Sequence, residues 1–337
     1  MNLAIIGGGS WGTALSIVLA PRFEQVRLWA HEADVVQRII AYRENHLFLP
    51  GFQIPANVEP TPYLRAAVEG SDIIAGVMPS SHARRLYSQM LPFIQPSARV
   101  VSATKGLEQR TLLRMSEVIQ DVFRGYFAEH SMPRVAALSG PTFAKEVARG
   151  DPTAVVIAAQ DAELAASIQR EFSGPRFRLY TSNDPVGVEL GGALKNVIAI
   201  GAGVCHGLGL GGNSIAALVT RGLAEITRLS VAMGANPSTL AGLAGLGDLV
   251  LTCTGDLSRN RRVGIELARD RPLQEIVSSM TMVAEGVETT SAAVELAHKF
   301  GVDMPITEQM DCILRGKRSP LAAIRELMER TLKSESL

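Results

Sequence analysis

The stretch Gly7-Gly8-Gly9-Ser10-Trp11-Gly12 decides the fold of the first half of this chain. It follows the apolar run Leu3 to Ile6 and opens the amphipathic stretch Trp11 to Leu19, which is the strand–turn–helix context that a dinucleotide-binding turn requires. The first glycine permits the sharp turn, the second lets the main chain approach a pyrophosphate, and the third allows close helix-to-strand packing. The helix N-terminus adds unpaired N–H groups and a partial positive charge. The sequence therefore predicts dinucleotide binding here, and a purely structural turn is the alternative.

Short apolar runs alternate with helical patterns up to about residue 180. The further strand candidates are 26–29, 73–78, 100–103, 135–138, 154–158 and 177–180, and helical patterns cover 34–42, 81–91 and 111–122. Alternating β and α units with continuous apolar strands indicate a parallel sheet covered by helices on both faces, a Rossmann-type doubly wound fold. The later strands can run in mixed directions.

Beyond about Ser182 the strand signal stops and apolar residues recur at helical spacing. The helices predicted there are 186–202, 215–233, 267–277, 290–300 and 321–332. Asn183 or Asp184 can cap a helix whose first turn holds Pro185. We therefore expect a dinucleotide-binding domain in residues 1–181 and an all-helical, substrate-binding domain in residues 182–337. One continuous α/β domain explains the change of period less well.

Composition excludes several classes of partner. Lys plus Arg equals Asp plus Glu at 33 each, and the absence of a basic run argues against nucleic acid or an anionic membrane as partner. The three cysteines are far apart in sequence, which favours a reduced, cytoplasmic setting. The apolar stretch Leu190 to Leu210 contains Lys195 and glycines, so we interpret it as a buried helix and expect no membrane span. Disorder is expected only in the tail 333–337.

The end of the second predicted strand bears on the choice of cofactor. An NAD-selective turn usually places Asp or Glu there to bond the ribose 2′-OH, whereas this chain has His31 followed by Glu32. A histidine would not repel a 2′-phosphate. We therefore expect NADP to be accepted, along with NAD.

Polar groups follow three predicted strands, in the loops 77–80, 102–106 and 139–144. Ligands of an open parallel sheet bind outside the carboxyl ends of the strands, so these loops should converge beside the glycine turn. Packing explains Lys105 poorly, although a solvated loop lysine is the alternative. Gly140 and Pro141 are expected to open a short helix, where Thr142 and nearby N–H groups can hold a substrate oxygen or a cofactor amide.

The helical half contains a lysine in its most apolar helix, Lys195, preceded by Gly191 and Gly192. Glycines let another main chain come close. A lysine in such a place is costly unless a partner or substrate pairs with it, and desolvation would lower its pKa towards the range useful for proton transfer. A lysine that snorkels to water is the alternative.

A third polar cluster comprises Asp248, Thr252 and Ser258-Arg259-Asn260. Arg259 and Asn260, adjacent at an expected helix start, suit a dianionic phosphate, because arginine presents a planar fork of donors and the helix end adds its dipole. For Asp248, in a glycine-rich loop, an Asx-turn is the alternative. No His/Asp/Glu grouping has metal-ligand spacing, so no metal is expected.

Six segments in this order resemble the bacterial type of NAD(P)-dependent glycerol-3-phosphate dehydrogenase: GGGSWG, SATKGLE, SGPTFAKEV, ELGGALKNVIAIGAG, GLGDL and SRNRRVG. The resemblance covers the chain from Gly7 to about Glu288 and is most specific at Gly192 to Asn196. It implies reduction of dihydroxyacetone phosphate to sn-glycerol 3-phosphate, the precursor of phospholipid backbones.

The resemblance also implies roles for individual residues. Lys195 would be the proton donor to the ketone oxygen and the acceptor in the reverse direction. The implied substrate-binding residues are Lys105, Gly140, Thr142, Lys195, Asp248, Ser258, Arg259 and Asn260. The implied cofactor-binding residues are Gly7, Gly9, Ser10, Trp11, Gly12, His31, Lys105, Ala144, Arg259, Val283 and Glu285.

Two other classes remain as alternatives. A related two-domain NAD(P)-dependent reductase of hydroxy acids would need an arginine that binds a carboxylate, whereas Ser258-Arg259-Asn260 fits a phosphate better. A non-catalytic dinucleotide sensor would need neither a buried lysine nor a second pocket. A homodimer formed through the helical half is compatible with the sequence.

Overall fold

The computed structural model describes residues 1–332 and 334–335 and divides into two compact units. The first comprises Met1–Lys105 and Leu113–Pro185, and the second comprises Gly106–Leu112 and Val186–Leu337. Of the tail expected to be disordered, residues 333, 336 and 337 lie outside the described part. The short segment Gly106–Leu112 belongs to the helical unit because Leu107 is buried in the same apolar cluster as Leu190 and Leu194.

The first unit contains all the strands found among the described residues. These are β1 (Asn2–Ile6), β2 (Gln25–Trp29), β3 (Glu44–Asn45), β4 (Leu49–Gln53), β5 (Val58–Thr61), β6 (Ile73–Gly76), β7 (Arg99–Ser102), β8 (Arg134–Ser139), β9 (Thr153–Ala158) and β10 (Phe177–Ser182). Its α-helices are α1 (Ser10–Leu19), α2 (Ala33–Tyr42), α3 (Leu64–Val68), α4 (Ala83–Met90), α5 (Met115–Arg124), α6 (Ala144–Arg149) and α7 (Ala162–Phe172). Short 3-10 helices lie at Ala20–Arg22, Ser80–His82, Leu91–Phe93 and Glu129–Ser131.

Eight strands form one sheet in the order β10-β9-β8-β7-β6-β1-β2-β5. All neighbours are parallel except β8 and β9, which are antiparallel, so the predicted doubly wound sheet is confirmed. Strand β5 and the β3–β4 hairpin were not predicted. Proline weakens the strand signal in both Val58–Thr61 and Leu49–Gln53, and β5 tolerates Pro60 because it is an edge strand.

The sheet is buried on both faces, which explains its continuous apolar strands. Leu3 and Ile5 of β1 point into one apolar cluster, whereas Ala4 and Ile6 point into the other. Parallel strands place their carboxyl ends at one edge of the sheet, so the loops after β1, β2, β6, β7 and β8 lie on the same side.

The second unit is helical. Its α-helices are α8 (Pro185–Gly207, which begins one residue before the unit), α9 (Gly212–Ala232), α10 (Pro237–Leu240), α11 (Asp248–Thr254), α12 (Arg259–Leu267), α13 (Leu273–Ser278), α14 (Glu285–Phe300), α15 (Pro305–Leu314) and α16 (Pro320–Met328), with a π-helical turn at Leu243–Gly247. The helix predicted over 267–277 is wrong. Asp270 has a positive φ of 58° and Pro272 lacks an N–H, so the chain breaks between α12 and α13.

One helix of the described residues, α8, is long and apolar enough to cross a membrane. Its most apolar window is 100% buried inside the protein, which is what the core helix of a helical domain shows. A bent pair, Pro237–Thr254 with Arg259–Leu267, passes the same test of length and composition only as a broken span.

A buried carboxylate, Glu225 of α9, caps the first turn of α15. It is 2% exposed, and it accepts hydrogen bonds from the N–H of Ile306 at 2.7 Å and from the N–H and hydroxyl of Thr307 at 3.1 Å each. Burial raises the pKa of Glu225 from 4.5 to about 7, against the lowering effect of these bonds. The folded protein therefore binds the proton of the Glu225 carboxyl group more tightly than the unfolded chain does. Protonation of Glu225 stabilises the folded state at acidic pH, and this stabilisation is lost as pH rises through about 7.

We expect Glu225→Gln to lower the free energy of unfolding by about 1–3 kcal/mol, because its NH₂ group would face an N–H donor. The difference from the native protein should narrow between pH 5 and pH 8, where the native carboxyl loses its proton. Urea unfolding across this range measures it, with the exposed Glu295→Gln as control. A difference that does not change with pH would contradict the raised pKa.

Candidate functional site

The glycine turn after β1 uses each glycine differently. Gly7 has a φ of +131°, and a Cβ there would lie 2.8 Å from the carbonyl carbon of Val77. A Cβ on Gly12 would lie 1.8 Å from the Gly7 oxygen, so this glycine lets α1 pack on the turn. A Cβ on Gly9 would meet no protein atom within 4 Å. Gly7 and Gly12 are therefore required by the fold, whereas Gly9 borders open space where a ligand can approach.

The N-terminus of α1 is available to an anion. Gly9 is its N-cap, and this end of the helix has neither a side-chain cap nor an acidic residue in its first turn. Ser10 and Trp11 form that first turn. The Trp11 indole packs against the apolar core, and its Nε1–H has no hydrogen-bond partner among the described residues. The helix dipole thus adds to the N–H groups without a competing carboxylate.

The contrast between Gly9 and Gly12 gives a prediction. Gly12→Ala should destabilise the first unit, because its methyl group overlaps the Gly7 oxygen. Gly9→Ala should leave the melting temperature nearly unchanged and weaken NADH binding at least tenfold, because its methyl group would occupy the open space. Differential scanning calorimetry and fluorescence titration with NADH measure the two effects. Normal NADH affinity in Gly9→Ala would show that nothing binds against this glycine.

His31 and Glu32 directly follow β2, at the same sheet edge as the glycine turn. The N–H of Gly7 donates to the Trp29 oxygen at 3.0 Å, which ties the two loops together. Both side chains are exposed, and the His31 ring lies 6.1 Å from that of Trp29. A ribose or a 2′-phosphate can therefore reach His31 without burial of a carboxylate.

The loops after β7 and β8 come together through Lys105. Its Nζ donates to the Gly140 oxygen at 2.8 Å and to the Thr142 hydroxyl at 3.3 Å. Gly140 has a φ of +138°, and a Cβ there would press on the Cα of Val155 at 3.0 Å. The structure thus brings Lys105 of one predicted loop to Gly140 and Thr142 of another, and the lysine is not a solvated loop residue.

The short helix expected at Gly140 begins four residues later, at Ala144, which is the first residue of α6. Residues 140–143 form a loop before it, because the positive φ of Gly140 is incompatible with a right-handed helix. Helix α6 packs against α1, and Ala144 contacts the same apolar core as Trp11.

The second unit buries a lysine–aspartate pair. Lys195 on α8 is 6% exposed and forms an ion pair with Asp248, which is 1% exposed and begins α11. The Lys195 Nζ also donates to the Thr252 hydroxyl at 2.7 Å, and that hydroxyl donates to the Asp248 main-chain oxygen at 2.6 Å. The carboxylate compensates the desolvation of the ammonium, so Lys195 does not snorkel to water, and Asp248 is more than an Asx-turn residue.

Two neighbours explain how the pair is built. A Cβ on Gly191 would lie 2.6 Å from the Ala244 oxygen, so the glycine expected to admit another main chain does so. Cys253 follows Thr252 and is fully buried, and burial raises the pKa of its thiol to about 12. The cysteine therefore stays a neutral packing residue beside the charged pair.

The first turn of α12 forms the other polar group of this unit. Ser258 is the N-cap, and its Oγ accepts the N–H of Arg261 at 3.2 Å. The Arg259 guanidinium donates to the Val283 oxygen at 2.7 Å. The Asn260 amide donates to Asn196 Oδ1 at 2.8 Å, and its Oδ1 accepts the N–H of Gly286 at 3.0 Å.

Adjacent residues of one helix therefore hold both ends of the segment 283–286. That segment contains Val283 and Glu285, for which the family resemblance implies cofactor contacts. The sequence placed Thr252 in the third polar cluster and Asn196 in a motif, but it assigned neither of them a role. Among residues 1–332 and 334–335, no group of three or more His, Cys, Asp or Glu side chains is arranged to hold a metal.

A doubly wound sheet with an uncapped helix after its first glycine turn is typical of a dinucleotide-dependent oxidoreductase. Comparison with known proteins identifies the kind. Residues 2–165 match the family described as the NAD-dependent glycerol-3-phosphate dehydrogenase N-terminus, and residues 184–325 match the corresponding C-terminus. The chain belongs to the NAD(P)-dependent glycerol-3-phosphate dehydrogenase family.

Individual relatives agree along the whole chain. A glycerol-3-phosphate dehydrogenase [NAD(P)+] from Koribacter versatilis is 60% identical, with 99% of this chain and 98% of that protein covered. One from Acidobacterium capsulatum is 52% identical, with 99% of each covered. The crystal structure of the enzyme from Coxiella burnetii superposes with a TM-score of 0.91 at 40% identity, covering 98% of this chain and 99% of that one. Because the chain matches this family over its full length, the two alternative interpretations, a hydroxy-acid reductase and a non-catalytic dinucleotide sensor, are wrong.

Proposed function

We propose that this enzyme reduces dihydroxyacetone phosphate to sn-glycerol 3-phosphate, with Lys195 as the catalytic acid. The observation that carries the proposal is the buried ion pair of Lys195 with Asp248, supported by Thr252. A buried ammonium with a fixed orientation is suited to proton transfer and to stabilising a nearby oxyanion. Residues 1–181 would bind the cofactor and residues 182–337 the substrate.

Each residue has a defined part in this proposal. When bound, the reduced nicotinamide supplies the hydride that adds to C2 of the ketone. Lys195 Nζ gives its proton to the developing alkoxide oxygen, which yields the alcohol and leaves a neutral amine. Asp248 and Thr252 hold that nitrogen in place, and Lys105, Gly140 and Thr142 contribute further polar contacts to the substrate. In the reverse direction Lys195 accepts the proton.

The phosphate would be bound by Ser258, Arg259 and Asn260. They share the first turn of a nine-residue helix, so the guanidinium, the amide and the helix dipole act on one anion. The cofactor would contact Gly7, Gly9, Ser10, Trp11, Gly12, His31, Lys105, Ala144, Arg259, Val283 and Glu285. We propose that both NADPH and NADH are accepted, because the exposed His31 tolerates a 2′-phosphate.

The cellular setting follows from this chemistry. The product is the backbone of glycerophospholipids, so we propose that the enzyme supplies phospholipid synthesis in the cytoplasm. A homodimer formed through the helical half is part of the proposal, and sedimentation velocity tests it.

The direct test is loss of absorbance at 340 nm when purified protein, NADH or NADPH and dihydroxyacetone phosphate are mixed. We expect turnover with dihydroxyacetone phosphate and far less with unphosphorylated dihydroxyacetone. No turnover with either cofactor would refute the proposal. Equal turnover of both ketones would refute the phosphate site while leaving the reductase activity in place.

A further inference from the structure

A buried asparagine from the unpredicted β3–β4 hairpin contacts the glycine turn. Asn45 is 1% exposed, and its amide nitrogen donates to the Gly8 oxygen at 2.8 Å and to the Thr13 hydroxyl at 2.8 Å. Its Oδ1 accepts the N–H of Phe48 at 3.2 Å, within the hairpin. Both hydrogen bonds that the Asn45 amide nitrogen donates therefore go to the glycine turn or to α1, which follows it.

The hydrogen bond from Asn45 fixes the direction in which the Gly8 carbonyl points. The Gly8 oxygen lies on the Asn45 side, and the Thr13 hydroxyl adds a longer contact at 3.4 Å. The peptide bonds of the described residues are all trans, so the N–H of Gly9 points opposite to the Gly8 carbonyl. The Gly9 N–H therefore points away from the buried hairpin. A Cβ on the same residue would meet only open space within 4 Å.

A peptide between two glycines needs such a restraint. Neither residue has a Cβ that limits rotation, so this peptide has more freedom to flip than any other kind. A flip would turn the Gly8 carbonyl oxygen outward, where it would repel an anion, and would bury the N–H of Gly9. Replacement of Gly8 by a larger residue is blocked, because a Cβ there would lie 2.5 Å from that of Ala30.

We propose that Asn45 is a positioning residue for cofactor binding, which locks the Gly8–Gly9 peptide with its N–H directed at the cofactor pyrophosphate. The inference rests on the proposed function, in which the turn binds that pyrophosphate. Asn45 touches no ligand itself and acts only through the orientation of Gly8. This role is distinct from the capping and packing roles of the glycines.

The chain offers a matched control in Asn57. This asparagine also donates from its amide nitrogen to two main-chain oxygens of the first unit, those of Ala20 and Phe23 at 2.8 Å and 3.0 Å. Both acceptors lie beyond the opposite end of α1 from the glycine turn. Asn57→Ala therefore removes two hydrogen bonds donated by an amide nitrogen, as Asn45→Ala does, without touching the turn, and only the bond from the Phe48 N–H to Asn45 has no counterpart.

The experiment compares Asn45→Ala with Asn57→Ala. We expect Asn45→Ala to raise the Kd of NADH and of ADP by roughly tenfold to a hundredfold, the loss expected for one hydrogen bond to a charged group. Binding of adenosine, which lacks the phosphates, and kcat at saturating NADH should stay within about twofold of the native values. Asn57→Ala should leave all the Kd values unchanged, whatever it does to the melting temperature.

Each outcome decides the matter. Native Kd values in a folded Asn45→Ala protein would overturn the proposal, and so would an equal loss in Asn57→Ala, which would show a general effect of stability. If Asn45→Ala does not fold, Thr13→Val is the substitute. It removes the hydroxyl that contacts both Asn45 and the Gly8 oxygen, and it should raise the Kd of ADP to a smaller degree. A native protein that binds NADH but fails to reduce dihydroxyacetone phosphate would refute the proposed function and leave this inference standing.

Discussion

Replacement of Lys195 by arginine should reduce kcat by roughly a hundredfold to ten-thousandfold, the usual contribution of positioned proton transfer. Arginine keeps the positive charge beside Asp248, so the buried ion pair and the fold should survive. Its guanidinium does not lose a proton in proteins and is therefore a poor acid. Stopped-flow and steady-state assays with NADH and dihydroxyacetone phosphate measure the loss. The Kd of NADH should change by less than about twofold.

Replacement of Lys195 by methionine should abolish turnover and also destabilise the second unit. It leaves the carboxylate of Asp248 buried and unpaired, and breaking a buried pair in this way costs about 3–5 kcal/mol. Asp248→Asn in the same chain should restore much of that stability and none of the activity. Lys299→Met, at an exposed position, serves as the control. Retention of most of the native kcat by either Lys195 variant would remove the lysine from the mechanism.

Removal of the Arg259 guanidinium should raise the KM for dihydroxyacetone phosphate at least tenfold. A charge-assisted hydrogen bond contributes about 1.5–3 kcal/mol, and the guanidinium can offer two of them to a phosphate. Arg259→Ala also removes the bond to the Val283 oxygen, so a smaller rise in the Kd of NADH should accompany the effect. Steady-state kinetics at saturating NADH separate the effect on the KM for dihydroxyacetone phosphate from the effect on NADH binding.

Two comparisons make this prediction specific. The ratio of kcat/KM for dihydroxyacetone phosphate over dihydroxyacetone should collapse in Arg259→Ala, because only the first substrate carries the phosphate. Arg262→Ala changes an exposed arginine of the same helix and should leave the ratio unchanged. An unchanged KM in Arg259→Ala would assign the phosphate to another group.

Local pattern predicted the sheet well because its strands are buried on both faces. All seven predicted strands occur, since continuous apolar runs such as Leu3 to Ile6 leave few alternatives. The pattern failed where prolines break it, at β4 and β5, and where one charged loop separates two helices, at Asp270. The edge strand β5 and the hairpin strands β3 and β4 are short, and β4 and β5 each contain a proline, so no local period marks them.

The candidate site shows the same division. The residues of the glycine turn are adjacent in sequence, so their role could be inferred from spacing alone. Thr252 and Asn196 carried no signal of their own, and Asn45 lay in a segment that was not predicted at all. Their partners are 57, 64 and 37 residues away, respectively, and such contacts form only after the chain has folded.

By itself, the sequence determined the fold class and the dinucleotide turn. It also singled out Lys195, because a charged side chain in so apolar a helix needs a partner or a function. Periodicity, glycine placement and residue chemistry are local properties, so they can be recognised without the tertiary structure. The tertiary structure decided which carboxylate neutralises Lys195, that Lys105 joins Gly140 and Thr142, and that Asn45 sets the direction of the Gly8 oxygen. Hydrogen bonds and ion pairs depend on distance and angle in space, and sequence separation specifies neither.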